Sequence, residues 1–167
     1  VLERAGFAAA RAARRHAVLA GAGVTADAFH ITAASPEGQV RAMRQALAAA
    51  GLAPLDVGHV HAHATSTPKG DLVEAQSITE AVGTHPVVTA TKSMTGHLFG
   101  VAGALGAVAA ILAVRVVPPT ANLDRLDPEV KLDVAAGRAR PVALTAALAN
   151  SFGFGGHNAS LVFTRPV

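Results

Sequence analysis

The 167 residues contain no cysteine, no Trp and no Tyr. The missing cysteine excludes disulfides, thiolate metal sites and any cysteine nucleophile supplied by this chain. Six Phe are the only large aromatics, too few to build stacking platforms for single-stranded nucleic acid. Charge is sparse too: Asp, Glu, Lys and Arg make up 15% of residues and the formal net charge is +3. With no block of Lys and Arg, nucleic acid is not an expected partner. What is abundant is apolar. Hydrophobic residues reach 51%, which excludes disorder and at this length gives one domain with a real core.

Glu3 and Arg4 interrupt the first apolar residues, so no secretory signal opens the chain and a cytoplasmic location is expected. Arg4, Arg11, Arg14 and Arg15 among alanines read as the solvated face of a helix rather than a transit peptide. The 17 residues 98–114 carry no polar side chain. A membrane span needs about 20, and Ala and Gly dominate this one, so a core helix is expected and no membrane contact. A helix apolar all round needs cover on every side, so a partner layer from outside these residues is expected. Gly100, Gly103 and Gly106 recur every third residue and form a bare strip for close backbone approach.

The rest alternates strands and helices. Residues 3–15 predict a helix, and 16–24 a strand running into a glycine-weakened turn. Ser35 as N-cap and Pro36 at the first turn open a helix closed by Gly51. Residues 57–63 predict a strand, 71–82 a helix, 87–90 a short strand and 98–114 the apolar helix. An irregular stretch follows Pro118-Pro119. Residues 145–151 and 159–164 predict an antiparallel pair around a glycine-rich turn. The expected class is α/β, with layered helices on a five-stranded mixed sheet and no linker inside 1–167.

Three segments carry chemistry, each directly after a predicted strand: His61-Ala62-His63-Ala64-Thr65-Ser66-Thr67-Pro68-Lys69-Gly70-Asp71, Thr91-Lys92-Ser93-Met94-Thr95-Gly96-His97, and Asn150-Ser151-Phe152-Gly153-Phe154-Gly155-Gly156-His157-Asn158. Parallel sheets gather ligands at the carboxyl ends of their strands. His63, Lys92, His97 and the glycine-rich turn are therefore expected to converge. Imidazoles and an ammonium beside turn N–H groups suit negative charge developing on a carbonyl or enolate oxygen.

In these motifs, and in Pro118-Pro119-Thr120-Ala121-Asn122-Leu123 and Asp127-Pro128-Glu129, essentially the whole chain resembles the C-terminal half of a type II, fatty-acid-elongating β-ketoacyl-acyl carrier protein synthase, on the thiolase fold. The resemblance implies a decarboxylative condensation of malonyl-carrier protein with an acyl thioester held on a cysteine of the absent N-terminal half. It implies that His63 and His97 hydrogen-bond the malonyl thioester oxygen and that Lys92 tunes the field. It gives Phe154 an oxyanion-donating backbone N–H and a gating ring, flanked by Phe152, Gly153, Gly155 and Gly156. Thr65 and Thr67 match contacts to the phosphopantetheine arm. Acyl carrier protein, the N-terminal half and a second copy in a homodimer are the implied partners. No cofactor is implied beyond the carrier-borne phosphopantetheine.

Three positions depart from that pattern. Gly106 stands where a glutamate usually faces the lysine, His61 where asparagine is usual, and Ala64 where glycine is common. The departure at 106 leaves open a second reading, a non-catalytic chain-length-factor subunit or a polyketide ketosynthase fragment. The alternating His59, His61 and His63 also suggest a metal site. Three such positions along a straight strand span roughly 13 Å, too far for one ion, so no metal is expected. The two site histidines must be neutral to donate, so decarboxylation is expected to fail as pH falls through their pKa values, near about 6.5 unless burial lowers them.

Overall fold

The computed structural model describes residues 1–141 and 144–166. In chain order the elements are α1 (Ala5–Ala10), β1 (Val18–Ala26), α2 (Pro36–Ala50), β2 (Val57–His61), α3 (Pro68–Ala81), β3 (Val87–Thr89), α4 (Lys92–Thr95), α5 (Gly100–Ala113), β4 (Val116–Val117), β5 (Asp133–Val134), β6 (Arg140–Pro141), β7 (Ala146–Gly153) and β8 (His157–Thr164).

The main sheet runs β1-β8-β7-β2-β3-β5. The pairs β1–β8 and β7–β8 are antiparallel, and β7, β2, β3 and β5 are mutually parallel. Residues alternate sides along β7 as a strand requires. Ala146 and Leu148 join Met43 and Leu47 of α2 and Ile78 of α3 in one core. Ala147 and Ala149 join Ala110 of α5 in another. The sheet is thus sandwiched between α2 and α3 on one face and α5 on the other. Alanine rather than leucine on the α5 side lets that helix sit close.

The α2 caps follow the sequence: Ser35 accepts from the Gly38 N–H, and Gly51 closes the helix at φ 65°. Gly21 and Gly23 correct it. They lie inside β1 rather than in a turn, because a Cβ on Gly21 would meet the Ala46 carbonyl oxygen at 2.3 Å, and one on Gly23 the Ala42 oxygen at 2.0 Å. Bare backbone here lets α2 rest on the strand.

Other expectations are also corrected. The first helix covers only Ala5–Ala10, with Ala8 its single buried residue and Ala12 at φ 53° beyond it. Six residues with one buried side chain have little packing to extend a helix. The strand ending at 63 ends at His61, and α3 begins at Pro68 rather than 71. The sheet has six strands, not five. The added β5 is two residues long within the stretch expected to be irregular. It is steadied by Arg140, which donates to both carboxylate oxygens of Asp133 at 2.7 and 2.6 Å.

Helix α5 buries Ala102, Gly106, Ala109, Ala110 and Ala113. Val101, Val108 and Leu112 remain exposed on it. No helix among the described residues is long and apolar enough to cross a membrane.

Candidate active site

The parallel strands β2, β3 and β7 end at one edge of the sheet, and the three chemistry-bearing segments leave from there. The chain after β2 turns sharply, with Ala64 at φ 29° and Ser66 at φ 62°. Two carboxylates hold it. Glu74 on α3 accepts from the backbone N–H groups of His63 at 2.8 Å and Ala64 at 2.7 Å. Asp71 accepts from the Ser66 N–H at 3.1 Å. Glu74 is buried and also accepts from Asn150 Nδ2 at 3.2 Å, while Asn150 Oδ1 accepts from Ser160 at 2.8 Å. A hydrogen-bonded line therefore crosses the sheet from β8 to the His63 backbone. Burial raises the pKa of both carboxyls, opposed by these N–H donors and by the nearby Lys92 charge.

Lys92 opens α4 after β3. Its ammonium donates to the His63 carbonyl and reaches His63 Nδ1 at 3.3 Å. Burial lowers the lysine's pKa, while Glu74 and Asp71 act to raise it. Gly106 brings no acid, and these two carboxylates are the opposing charges.

An ammonium can only donate, so His63 Nδ1 accepts and the ring proton sits on Nε2. His97 is arranged the same way: its Nδ1 accepts from the Phe99 N–H at 3.2 Å, leaving Nε2 to carry the proton of its neutral form. The rings of His63 and His97 lie 5.5 Å apart, edge to face. Phe152 meets His63 edge-on at 6.0 Å, and Phe99 stacks on His97 at 5.2 Å. Phe99 has φ 48°, a strained backbone for a bulky residue of the sort concentrated at functional sites.

Burial, then the Lys92 charge, lowers the His63 pKa to about 3. Burial thus moves the His63 transition below the unperturbed value near about 6.5, and this ring stays neutral throughout the physiological range. Together the two rings can present a pair of N–H donors to one oxygen beside a cation, the arrangement that stabilises an oxyanion.

The remaining expected site residues frame this centre. Thr65 and Thr67 share a hydrogen bond at 3.1 Å on the exposed rim. Phe152 is 9% exposed, whereas Phe154, at the tip of the β7–β8 turn, is 73% exposed. Gly155 and Gly156 adopt φ 77° and 76°; Gly153 does not share that conformation. The turn is tied to residues 27–31: the Asp27 N–H donates to the Gly156 carbonyl and the Gly155 N–H to the Ile31 carbonyl. That partner segment, Glu74, Asp71 and Phe99 were not singled out from the sequence as site residues. Only the aspartate stood inside a quoted motif.

His59 and His61 do not join His63. They are buried within β2, where His59 Nε2 lies 2.8 Å from Thr89 Oγ1 and His61 Nε2 2.8 Å from Thr91 Oγ1. Among the described residues, no group of three His, Cys, Asp or Glu side chains is placed to hold a metal ion.

This sheet edge brings paired imidazole donors together with a lysine behind them, a donor set suited to negative charge on an oxygen. Residues 16–124 match the family model "Beta-ketoacyl synthase, C-terminal domain". The chain is 45% identical over 172 aligned positions to 3-oxoacyl-acyl-carrier-protein synthase 2 of Synechocystis, covering 99% of this chain and 41% of the relative. It superposes on the ishigamide ketosynthase/chain length factor with a TM-score of 0.95 at 38% identity, covering 99% of this chain and 42% of that one. A type II PKS acyl-carrier protein in complex with its ketosynthase, bound to the hexaketide, gives a TM-score of 0.90 at 30% identity, with 99% and 42% covered. The chain belongs to the β-ketoacyl synthase C-terminal domain family. It spans about two fifths of the length of the curated relatives it matches.

Proposed function

We propose that this chain is the C-terminal part of a β-ketoacyl-acyl carrier protein synthase of fatty-acid biosynthesis. Malonyl-carrier protein would place its thioester oxygen between His63 Nε2 and His97 Nε2. The bond from the malonyl α-carbon to its carboxylate breaks and CO2 departs. The electron pair passes onto the α-carbon and thioester oxygen, where the two N–H donors meet the new charge. The enolate carbon then attacks the acyl thioester, forming the carbon–carbon bond and expelling the thiolate that held the acyl group. That thiolate must come from outside these residues, since the chain has no cysteine.

The observation that carries this reading is the matched hydrogen bonding of the two imidazoles. Each has its Nδ1 occupied, by Lys92 and by the Phe99 N–H, so that Nε2–H is left for substrate. Lys92 fixes the His63 tautomer and adds positive field. Thr65 and Thr67 stand on the rim where a phosphopantetheine arm would enter. The Phe154 backbone N–H is assigned to the acyl oxyanion, with its ring as a gate on Phe152, Gly153, Gly155 and Gly156. Partners in this reading are acyl carrier protein, the cysteine-bearing half packed on the exposed face of α5, and a second copy of the complete protein in a cytoplasmic homodimer. No cofactor takes part.

The test is release of radiolabelled CO2 from malonyl-carrier protein by the complete protein, together with acyl elongation. Both should occur, and residues 1–167 alone should give no elongation. Elongation by these residues alone, with host synthase excluded, would overturn the assignment. A non-catalytic chain-length-factor role is favoured by the departure at Gly106. The residue at the upstream nucleophile position decides between them: cysteine means synthase, and its replacement means scaffold.

A further inference from the structure

The departures at 61 and 106 touch each other. Gly106 lies within α5, and a Cβ built on it would stand 3.0 Å from both Cε1 and Nδ1 of His61. His61 is the last residue of β2 and is 1% exposed. Its Nε2 lies 2.8 Å from Thr91 Oγ1 and accepts from the Thr91 N–H at 3.4 Å. Its Nδ1 is buried without a hydrogen-bond partner, on the side of the ring that faces bare α5 backbone. Thr91 immediately precedes Lys92, whose ammonium bonds His63.

We propose that His61 and Gly106 form one coupled exchange. Absence of a side chain at 106 makes room for the imidazole at 61. That imidazole is a positioning residue: it anchors Thr91 and thereby sets Lys92 against His63. Three observations agree with this. A helix interior disfavours glycine relative to alanine, so Gly106 needs a packing reason, and the ring supplies one. Burial holds the His61 pKa down to about 4, so the ring adds no cation beside Lys92. The lysine's opposing charges are Glu74 and Asp71, on α3, so an acid at 106 is not needed to balance it.

The coupling makes a prediction of opposite signs, tested by thermal melting of the complete protein. Gly106→Ala alone should lower Tm by about 2–4 °C, because the new methyl strikes the ring. In a His61→Asn background the same alanine should raise Tm, since the shorter side chain vacates that space and helix propensity then decides. A rise in Tm for Gly106→Ala alone overturns the proposal, and so does an equal shift in both backgrounds. If His61→Asn does not fold, the single Gly106→Ala melt still decides.

The positioning role is read separately and rests on the proposed synthase activity. The carboxamide of Gln reaches the position of a histidine Nε2 and can turn its oxygen there to accept from the Thr91 N–H, whereas that of Asn reaches only as far as Nδ1. His61→Gln should therefore retain most of the decarboxylation kcat. Among folded molecules, His61→Asn should lose about ten- to a hundredfold with KM unchanged, the effect of a misplaced site. An unimpaired kcat in His61→Asn refutes positioning. A complete protein that releases no CO2 refutes the synthase reading instead, and the melting results still judge the coupling.

Discussion

Three histidines alternate along one stretch of chain, yet the fold gives them two different tasks. His59 and His61 are enclosed in β2, where His59 bonds Thr89 on β3 and His61 bonds Thr91, just past the end of that strand. His63 lies two residues past the strand end, with one nitrogen on Lys92 and T-shaped contacts to the rings of His97 and Phe152. All three have pKa values depressed mainly by burial, to about 3, 4 and 3. Titration therefore does not distinguish structural from functional histidines here. What does is whether a protonated nitrogen is left pointing at space a substrate could occupy. The strand end makes that difference, by releasing His63 from the ladder that holds the other two.

The largest expected effect breaks this comparison at its centre. In the complete protein, His63→Ala should cut the decarboxylation rate by about 10²–10³-fold, the loss typical of one oxyanion donor, with little change in melting. His59→Ala should do the reverse, lowering Tm while folded molecules keep their kcat. If both variants lose stability and rate in the same proportion, the two tasks are not separate.

The pH dependence of stability tests the shared feature. In the unfolded chain each histidine titrates near about 6.5, above its folded value. The folded state therefore favours the neutral form, and this contribution is fully present above pH 6.5. As pH falls below that, the unfolded chain binds protons the folded chain refuses, and stability declines until pH reaches the folded values of about 3 to 4. Each fully buried ring, His59 or His61, adds a slope of up to about 1.4 kcal/mol per pH unit. Urea unfolding at pH 5, 6, 7 and 8 should trace this fall. His59→Gln, which removes one titrating ring, should flatten it. Glu74 and Asp71, raised by burial, oppose this fall, so the decisive reading is the difference between the two profiles. A His59→Gln profile parallel to that of the wild type between pH 7 and pH 5 would contradict the burial of His59.

Much of this division can be read in the sequence, and the unreadable part has physical reasons. His63, Lys92 and His97 stand in loops after predicted strands, so their meeting follows from parallel topology. Glu74 lies deep in a helix whose pattern offers no reason to prefer it over Glu80; only the backbone N–H groups arriving from the turn reveal it. Gly21 and Gly23 look like a turn because glycine signals both a turn and a close approach, and only the position of α2 decides. Strand β5 is too short at two residues for periodicity to show. The contact between His61 and Gly106 joins positions 45 residues apart, and no local pattern links them.

Glu74 offers a smaller effect that sharpens the comparison by loosening only the segment past the strand. Glu74→Gln keeps the shape but turns an amide N–H₂ toward donors that now find one acceptor oxygen instead of two. The expected loss is about 1–3 kcal/mol of stability by urea unfolding. Lys92 also loses an opposing charge, which lowers its pKa further. Substitution without loss in stability or rate would show that the carboxylate does not hold the turn.

The smallest effect lies at the residue that carries the chain out of the strand. Ala64 has φ 29°, on the side of backbone space that glycine enters freely and alanine does not. This gives a physical reason for the glycine that is common at this position in the resembling family. Ala64→Gly should relieve about 1 kcal/mol of backbone strain, while the added freedom of the unfolded chain takes back about 0.4–1 kcal/mol. The net change is therefore between zero and a gain of about 0.6 kcal/mol, seen as an unchanged or slightly raised Tm. The hydrogen bonds from the His63 and Ala64 N–H groups to Glu74 do not involve the lost methyl, so the turn keeps its path and His63 its orientation. Decarboxylation kcat should accordingly match the wild type. A clear drop in Tm would mean that packing of the Ala64 methyl against the α2–α3 core outweighs the strain. A drop in kcat at constant Tm would mean that this strained turn itself aims His63, so that its backbone contributes to the division between the two kinds of histidine.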